Sequence, residues 1–166
     1  MLGRDGKISM ARVATIIAVL GILVVAAGVV SFYIDQGSHK VPLDIPAYPG
    51  AVPVGQTMVA TTTRREYFRV TSATPDEVAA YYNQRLYEHN GSHDESCIRN
   101  PPVGEFDTAG VPNSVPYEYI CMFDRSGFRT SQYTKVTIQP GLFNQDPKLN
   151  NAGMTIVEYE QYWQPG

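Results

Sequence analysis

The sequence predicts an α+β protein: an N-terminal single transmembrane helix, then an extracytoplasmic domain of one helix packed on an antiparallel sheet of about four strands. Three observations carry this prediction. Residues 13–34 form one uncharged apolar run, residues 74–91 carry helix start and stop signals, and several later segments have strand-like composition between turn residues. The chain has 166 residues, which suits one domain beside the apolar run.

The apolar run VATIIAVLGILVVAAGVVSFYI at 13–34 predicts a transmembrane helix. At ~1.5 Å per residue it reaches about 33 Å, which matches a hydrocarbon core of about 30 Å. Three basic residues precede the run and Asp35 follows it, so the positive-inside rule predicts a cytoplasmic tail at 1–12. The basic residues are Arg4, Lys7 and Arg12. The rest of the chain is then periplasmic or extracellular, on the far side of a cell membrane.

Two other kinds of apolar N-terminal segment are alternatives to the anchor. A cleaved signal peptide has a shorter apolar region ending at small residues such as Ala26-Ala27-Gly28, but here the run continues beyond them. A type IV pilin usually carries an acidic residue near the start of its helix, and this run has none. The transmembrane anchor is therefore the leading interpretation.

Small residues recur along one side of the predicted span. Ala14, Gly21 and Gly28 repeat every seven residues, and Ala18 falls on the same stripe at helical spacing. Small side chains let a second helix approach closely, which drives helix association in lipid. Ala and Gly are common in membrane helices, so a stripe without a partner is the alternative. We favour a helix-packing surface for other membrane-protein subunits.

After the span, residues 35–52 predict an extended linker, because three prolines and two glycines disfavour regular structure. The extracytoplasmic domain then occupies 53–166. Its clearest local signal is Thr74-Pro75-Asp76-Glu77, in which Thr74 is the N-cap and Glu77 completes a capping box. The helix is predicted to run to about His89 and to end at Asn90-Gly91. Its predicted buried stripe consists of Val78, Tyr81, Tyr82 and Leu86.

Four segments predict strands from β-branched and aromatic composition between turn residues: 65–71, 115–123, 129–139 and 154–163. The second and third are predicted to form a hairpin, and the last adds antiparallel to it. Alternation places Arg65, Tyr67 and Arg69 on one face of their strand. The pattern does not decide which face of the sheet contacts the helix.

The two cysteines, Cys97 and Cys121, predict a disulfide, because an even number in an extracytoplasmic domain favours pairing. Two free thiols are the alternative. His89, His93 and Cys97 lie four residues apart, which resembles a zinc site. Their spacing has no geometric meaning across a helix end and a loop, so we favour a solvated helix terminus.

Composition and missing motifs narrow the function classes. A net charge of −3 offers no surplus positive charge for a phosphate backbone, so nucleic acid is not an expected partner. Phosphate-binding loops, hydrolase and zinc-protease motifs and the C-x-x-C-H haem motif are absent from the sequence. We therefore expect no enzymatic activity, no cofactor and no metal. Glu158 and Glu160 are interpreted as the polar face of a strand.

Tyrosine is unusually frequent, with 11 in the chain. One interpretation is a Tyr-rich core whose hydroxyls reach solvent. The other is an aromatic surface that binds a protein, because Tyr and Trp anchor interfaces. The best candidate for such a partner-binding patch is formed by Tyr159, Tyr162 and Trp163 near the C-terminus.

The motifs AYPGA at 47–51 and TSATPDEVAAYY at 71–82 together resemble a family of small bacterial envelope domains. In that family a YPGA-like turn, a strand and a TSxTPDEVxxYY helix precede an antiparallel sheet. The resemblance covers about residues 44–140. It implies an α+β domain anchored by one helix or a lipid, and it carries no known catalytic residues. By architecture alone, the chain also resembles accessory subunits of bacterial respiratory or photosynthetic complexes, such as alternative complex III.

These features lead us to expect a non-catalytic accessory subunit of a multi-subunit bacterial membrane complex, with electron transport as one setting. The helix would lie in the lipid bilayer, and the domain would dock on extracytoplasmic partners. The alternative is a membrane-anchored envelope module that binds a soluble ligand between helix and sheet. An anchored enzyme is the third hypothesis, and it would need a histidine beside a serine or a metal.

Overall fold

The computed structural model describes residues 10–91, 96–109, 114–127, 130–146 and 150–164. The chain divides into two compact units between Ser38 and His39. In the described residues, the first unit is a single helix, and the second contains another helix and one antiparallel sheet. The α+β class is therefore confirmed.

The first helix, α1, covers Met10–Ser38 and so extends beyond both ends of the apolar run. Residues 10–37 are all exposed, unlike the core helix of a soluble protein. Its most apolar 18-residue stretch has a mean hydropathy of 2.9, so length and composition suit a membrane anchor or a signal sequence. The Thr15 hydroxyl donates to the Ala11 carbonyl at 2.9 Å, which satisfies this polar group within the helix.

Six strands form the sheet of the second unit. They are β1 (Val52–Val59), β2 (Thr63–Val70), β3 (Ile98–Asn100), β4 (Glu118–Asp124), β5 (Tyr133–Pro140) and β6 (Thr155–Tyr162). Their order across the sheet is β1-β2-β6-β5-β4-β3, and each neighbouring pair is antiparallel. The predicted hairpin and the antiparallel addition of the last strand are confirmed, and β6 lies at the centre.

The prediction of about four strands is wrong, because the two edge strands carry weak sequence signals. Pro53 and Gly55 interrupt the alternation of β1, and the pairing register shifts between Val54 and Met58. Gly55 has a φ of +76°, which favours glycine at this irregularity. β3 has only three residues and lies within a segment that the sequence predicts to be irregular.

The second helix, α2, covers Pro75–Asn90 and begins and ends where its capping signals predict. The Glu77 carboxylate accepts from the Thr74 backbone N–H at 2.8 Å, and Thr74 Oγ1 accepts from the Glu77 N–H at 3.4 Å. Gly91 closes the helix with a φ of +67° and donates to the Tyr87 carbonyl at 2.8 Å. Local sequence alone therefore determines both ends of α2.

The core lies between α2 and one face of the sheet. The helix contributes Val78, Ala79, Tyr82 and Leu86, each at most 2% exposed. Tyr81, also predicted in this stripe, is only partly buried. Alternate positions of the four inner and adjoining strands complete the cluster: Val70, Cys121, Phe123, Val136, Ile138, Val157 and Tyr159. Burial of these side chains is the main stabilising contribution to the second unit.

The predicted disulfide is present. Cys97 directly precedes β3 and is bonded to Cys121 of β4, and both residues are buried. Cys97 Sγ also lies 3.8 Å from the Ala79 carbonyl oxygen of α2. The bond joins positions 24 residues apart, and in the chain-entropy model closing such a loop contributes about 3 kcal/mol. It attaches the short edge strand β3 to the core.

Residues 39–50, here called the strap, bind along the sheet instead of forming a free linker. Residues 35–38 of the predicted linker belong to α1, and the second unit begins at His39 and not at 53. Three buried side chains of the sheet region, each at most 2% exposed, donate to strap carbonyls. Gln132 Nε2 donates to Val41 at 2.8 Å, and Thr134 Oγ1 and Gln161 Nε2 donate to Leu43 at 2.5 and 2.7 Å.

Two buried tyrosines hold the end of the strap. The Tyr48 N–H donates to the Tyr82 hydroxyl at 3.0 Å, the Tyr82 and Tyr159 hydroxyls are hydrogen-bonded, and the Tyr159 hydroxyl donates to the Pro46 carbonyl at 3.3 Å. If the Tyr82 hydroxyl donates to the Tyr159 hydroxyl, each of the three donors in this series of hydrogen bonds has one acceptor. Burial raises the pKa of Tyr82 to about 12 and also raises the pKa of Tyr159, so both hydroxyls stay protonated at neutral pH.

The two motifs of the family resemblance meet at this point. Tyr48 begins a turn in which the Ala51 N–H donates to the Tyr48 carbonyl at 2.9 Å, and Gly50 takes a φ of +81°. The Tyr48 ring contacts the Tyr81 ring of α2 edge-to-face at 5.2 Å. The YPGA turn therefore contacts both adjacent tyrosines of α2, Tyr81 and Tyr82.

We predict that Tyr82→Phe destabilises the protein by about 1–3 kcal/mol, because the Tyr48 N–H loses its acceptor inside a partly buried contact. Tyr81→Phe is the matched control. Its hydroxyl lies on the exposed side, 3.4 Å from the Ala47 carbonyl, so we expect a loss below about 0.5 kcal/mol. Urea unfolding followed by circular dichroism measures both. Equal losses in the two variants would contradict the role of Tyr82.

Candidate functional site

The sheet face opposite α2 is the candidate site, and we call it the open face. On each strand it consists of the alternate side chains that lie on the side of the sheet away from the core. On β6 these are Ile156, Glu158, Glu160 and Tyr162, which are partly exposed between the buried residues of the same strand. The pairing register extends this parity across all six strands.

The open face does not contain the predicted patch as a unit. Tyr159 is 3% exposed and lies in the core, and Trp163 is 9% exposed, so neither ring is an exposed anchor for a partner. Only Tyr162 lies on the open face. The prediction of one patch from Tyr159, Tyr162 and Trp163 is therefore wrong, because residue 159 has the inward parity of β6, residue 162 has the outward parity, and Trp163 is buried directly after the strand.

An ion-pair row crosses the centre of the open face. The register aligns Arg65 of β2, Glu160 of β6 and Lys135 of β5. Arg65 Nη2 lies 3.1 Å from Glu160 Oε1, and Lys135 Nζ lies 2.9 Å from Glu160 Oε2. Arg65 Nε also lies 3.0 Å from Glu158, which accepts from the Tyr67 hydroxyl at 3.1 Å. The two acids and two bases thus neutralise one another.

These contacts shift the titration of the central row in consistent directions. The hydrogen bond from Lys135, with help from Arg65, lowers the pKa of Glu160. The same bond raises the pKa of Lys135, and hydrogen bonding to Glu160 raises the pKa of Arg65. Partial burial raises the pKa of Tyr67. All four groups therefore keep one protonation state near neutral pH, and none of them is tuned to exchange protons there.

Aromatic and apolar side chains surround the central row. The rings of Tyr133 and Tyr162, neighbours on β5 and β6, stack at 5.5 Å with 18° between their planes. Four large apolar side chains stand on the outer strands of the open face, each between 41% and 67% exposed. These are Val52, Met58, Ile98 and Met122. Large apolar side chains exposed together on one face are a feature of protein-binding surfaces.

Arg69 differs from the other cations of the open face. It lies on β2 between Val52 of β1 and Ile156 of β6. Its Nε atom is buried and has no hydrogen-bond partner among the described residues. A guanidinium donates hydrogen bonds to carboxylates in pairs, so an acidic side chain is a suitable partner for Arg69.

The predicted helix-packing stripe lies on α1. Ala14, Ala18, Gly21 and Gly28 are all exposed within this unit. A Cβ atom placed on Gly21 or Gly28 would have no other atom within 4 Å, apart from the backbone of the helix itself. The stripe is therefore a smooth strip of helix surface, which suits the close approach of a second helix.

Other candidate chemistry is accounted for by structural contacts. In the described residues, no group of three or more His, Cys, Asp or Glu side chains is placed to hold a metal ion. Cys97 is in the disulfide, and the His89 ring lies 5.8 Å from the Phe123 ring and 3.4 Å from the Asp124 carbonyl. His93, the remaining member of the candidate metal site, lies outside the described residues.

A cavity of about 230 Å³ lies beneath the strap. Its polar lining is internally paired: Arg64 Nε donates to Gln161 Oε1 at 2.5 Å, and Arg64 Nη2 donates to Asp44 at 2.7 Å. Gln161 Nε2 in turn donates to the Leu43 carbonyl. These groups hold the strap on the sheet, so they are engaged without a ligand.

Some of the open face could have been recognised from sequence. Alternation in REYFRVT places Arg65, Tyr67 and Arg69 together, and EYEQYW places Glu158 and Glu160 on one parity. The partners across the sheet could not, because Lys135 and Met122 join the same row only through strand order and register.

We predict that Glu160→Gln destabilises the protein by about 1 kcal/mol at pH 7, because the central row loses its acid. The folded-state pKa of Glu160 is lowered, so its contribution is present above the unfolded pKa of about 4.3 and is lost as pH falls through the folded value. The difference between wild type and variant should shrink below about pH 4.3 in unfolding experiments at several pH values.

Glu88→Gln is the control for removing a carboxylate, because Glu88 pairs with Arg85 on the exposed side of α2. It should change stability by less than about 0.5 kcal/mol. A wild-type advantage over Glu160→Gln that is constant from pH 3 to pH 7 would contradict the ion-pair row.

Comparisons of the chain with protein-family models, with curated proteins and with solved structures find no match. The resemblance to the envelope-domain family therefore rests on the residues of its two motifs and stays a prediction.

Proposed function

We propose that the protein is a non-catalytic accessory subunit of a bacterial membrane complex. In this role α1 anchors the chain in the bilayer through an uncharged run, and the second unit lies on the extracytoplasmic side as a docking domain. The supporting observations are the exposed apolar helix, the small-residue stripe on it, and a sheet with one face covered by α2 and the strap and the other open.

The observation that carries the proposal is the short tether between the two units. α1 ends at Ser38, and the next residue, His39, is 3% exposed and contacts the Arg125 carbonyl at 2.8 Å. Residues 35–38 extend the helix only about 6 Å past the apolar run at ~1.5 Å per residue. In this proposal the short tether favours a partner that is itself held in the same membrane.

The alternative role, capture of a soluble ligand between helix and sheet, receives less support. Tyr82, Phe123 and Leu86 fill that space and are at most 2% exposed. Close packing of these described side chains leaves little room for a ligand between α2 and the sheet. A ligand-dependent rise in the melting temperature of the protein would revive this alternative.

Periplasmic location and cytoplasmic N-terminus form part of the proposal. They rest on the basic residues before the apolar run and on the disulfide, which forms in oxidising compartments. Labelling of a single introduced cysteine by a membrane-impermeant maleimide in intact cells tests them. Val103→Cys, at 89% exposure, should be labelled from outside.

The decisive experiment is purification of the full chain from its native membrane in a mild detergent. We expect it to co-purify with other membrane proteins in fixed stoichiometry. Gly21→Leu combined with Gly28→Leu should lower the co-purified amount at least about tenfold, because larger side chains separate the helix backbones. The domain should stay folded, as its core contains no residue of α1.

Ala26→Leu is the matched control, because it makes the same kind of enlargement on the opposite side of the helix. It should leave the co-purified amount unchanged. A wild-type protein that purifies without any stoichiometric partner would contradict the accessory role, and equal effects of the three substitutions would contradict the stripe.

A further inference from the structure

The open face repeats a pattern that is complementary to itself. Its rows run across the strands in the order fixed by the pairing register. One row contains Met58, Arg65, Glu160, Lys135 and Met122. The next contains Val54, Tyr67, Glu158, Thr137, Ile120 and Ile98. In the first row the cations Arg65 and Lys135 flank Glu160. Both rows end in apolar side chains.

We propose that the open faces of two copies of this chain pack on each other about a two-fold axis that runs parallel to the strands, between β5 and β6. Such an axis keeps each row opposite the same row of the second copy and reverses the order of strands. β6 then faces the partner's β5, β2 faces the partner's β4, and β1 faces the partner's β3. The contact is isologous, so every interaction occurs twice.

The charges match under this operation. Glu160 faces the partner's Lys135, and Lys135 faces the partner's Glu160. The row of Arg69 passes through Ile156 and Gln139, and its next position on β4 is Glu118, so Arg69 faces the partner's Glu118. No two like charges of the described open face are opposed. The guanidinium of Arg69, whose buried Nε atom has no acceptor among the described residues, would thus lie opposite an acidic side chain.

The uncharged positions match as well. Tyr162 faces the partner's Tyr133, Tyr67 faces the partner's Ile120, and Val54 faces the partner's Ile98. The apolar flanks that one copy exposes are therefore covered by apolar side chains of the other. Ile98 is one of these flanking side chains, and it is 67% exposed in a single copy.

Other axes fit less well. An axis through β6 itself would oppose Glu160 with its own symmetry mate, which places two acids face to face. An axis between β2 and β6 would leave β3 and β4 uncovered, and with them the exposed Ile98 and Met122. Among these axes parallel to the strands, the one between β5 and β6 covers all six strands and opposes no like charges of the described residues.

The open face is also large enough. Five strands of seven or eight residues and the three residues of β3, at ~4.8 by ~3.3 Å per residue, give about 670 Å² per copy. Stable protein interfaces bury about 600–1,000 Å² per partner. Paired sheets of this type pack ~10 Å apart with their strands aligned within about 30°. The inference concerns the open face alone, because an assembly held together through α1 could form with this face empty.

A charge-swap experiment tests the axis directly. Arg69 and Glu118 lie on strands separated by β6 and β5, about 14 Å apart within one copy, so they cannot pair with each other there. Sedimentation equilibrium of the full chain in detergent should show a dimer. Arg69→Glu and Glu118→Arg should each raise the dissociation constant at least about tenfold, since each opposes like charges twice. The double variant should return to within about threefold of wild type.

Arg85→Glu is the control, because this residue lies on α2 away from the open face, and it should leave the dimer unchanged. Circular dichroism establishes that each variant is folded. A wild-type monomer at every concentration would overturn the proposal and leave the face to another protein. A dimer that neither single variant weakens, or a double variant that stays weak, would overturn it equally.

A second measurement avoids charged substitutions. Thr63 on β2 and Asp124 on β4 are both exposed and occupy one row through Tyr162 and Tyr133. The two-fold axis places Thr63 opposite the partner's Asp124. A mixture of Thr63→Cys and Asp124→Cys chains should therefore form a crosslinked heterodimer under mild oxidation. Absence of this crosslink in a folded mixture would overturn the proposed axis.

Discussion

The hydrogen bonding of the strap is the constraint on which the second unit depends. An extended segment cannot satisfy its own backbone groups, and burial makes unsatisfied groups costly. Here the Tyr82 hydroxyl accepts from the Tyr48 N–H, and Tyr159, Gln132 and Gln161 donate to strap carbonyls. Residues that composition alone assigns to an extended linker thereby become part of the folded domain.

Two consequences follow from this placement. The strap and α2 together cover one face of the sheet, so the opposite face is the surface available for binding. The strap also shortens the connection after α1, because the second unit begins at His39, directly after the last helical residue Ser38. The proposals of a membrane-bound partner and of a paired open face both depend on these two consequences.

Local signals predicted the parts of the fold that local physics decides. The capping box at Thr74 and the glycine at 91 determine α2, and an apolar run determines α1. The hairpin of β4 and β5 also followed from composition. The edge strands did not, since Pro53 and Gly55 break the pattern of β1, and the three residues of β3 pair only because a neighbouring strand is present.

The functional assignment of residues depended more on parity than on residue type. Tyr159 and Tyr162 have the same chemistry, yet one is buried against α2 and the other stacks on Tyr133 on the opposite face. Which of the two alternating sets of side chains is buried depends on which face of the sheet α2 covers. Tertiary packing determines that face, and the strand sequence alone does not. The central row likewise required strand order, because Lys135 and Arg65 are distant in sequence and meet only at Glu160.

Amide hydrogen exchange at Tyr48 in the full chain measures the strap most directly. If the strap is a folded part of the domain, the Tyr48 amide exchanges only through global unfolding, at the same free energy as the amides of α2 such as Leu86. Exchange of Tyr48 at the rate of an exposed amide, while Leu86 stays protected, would show a free linker and contradict the arrangement on which both proposals rest.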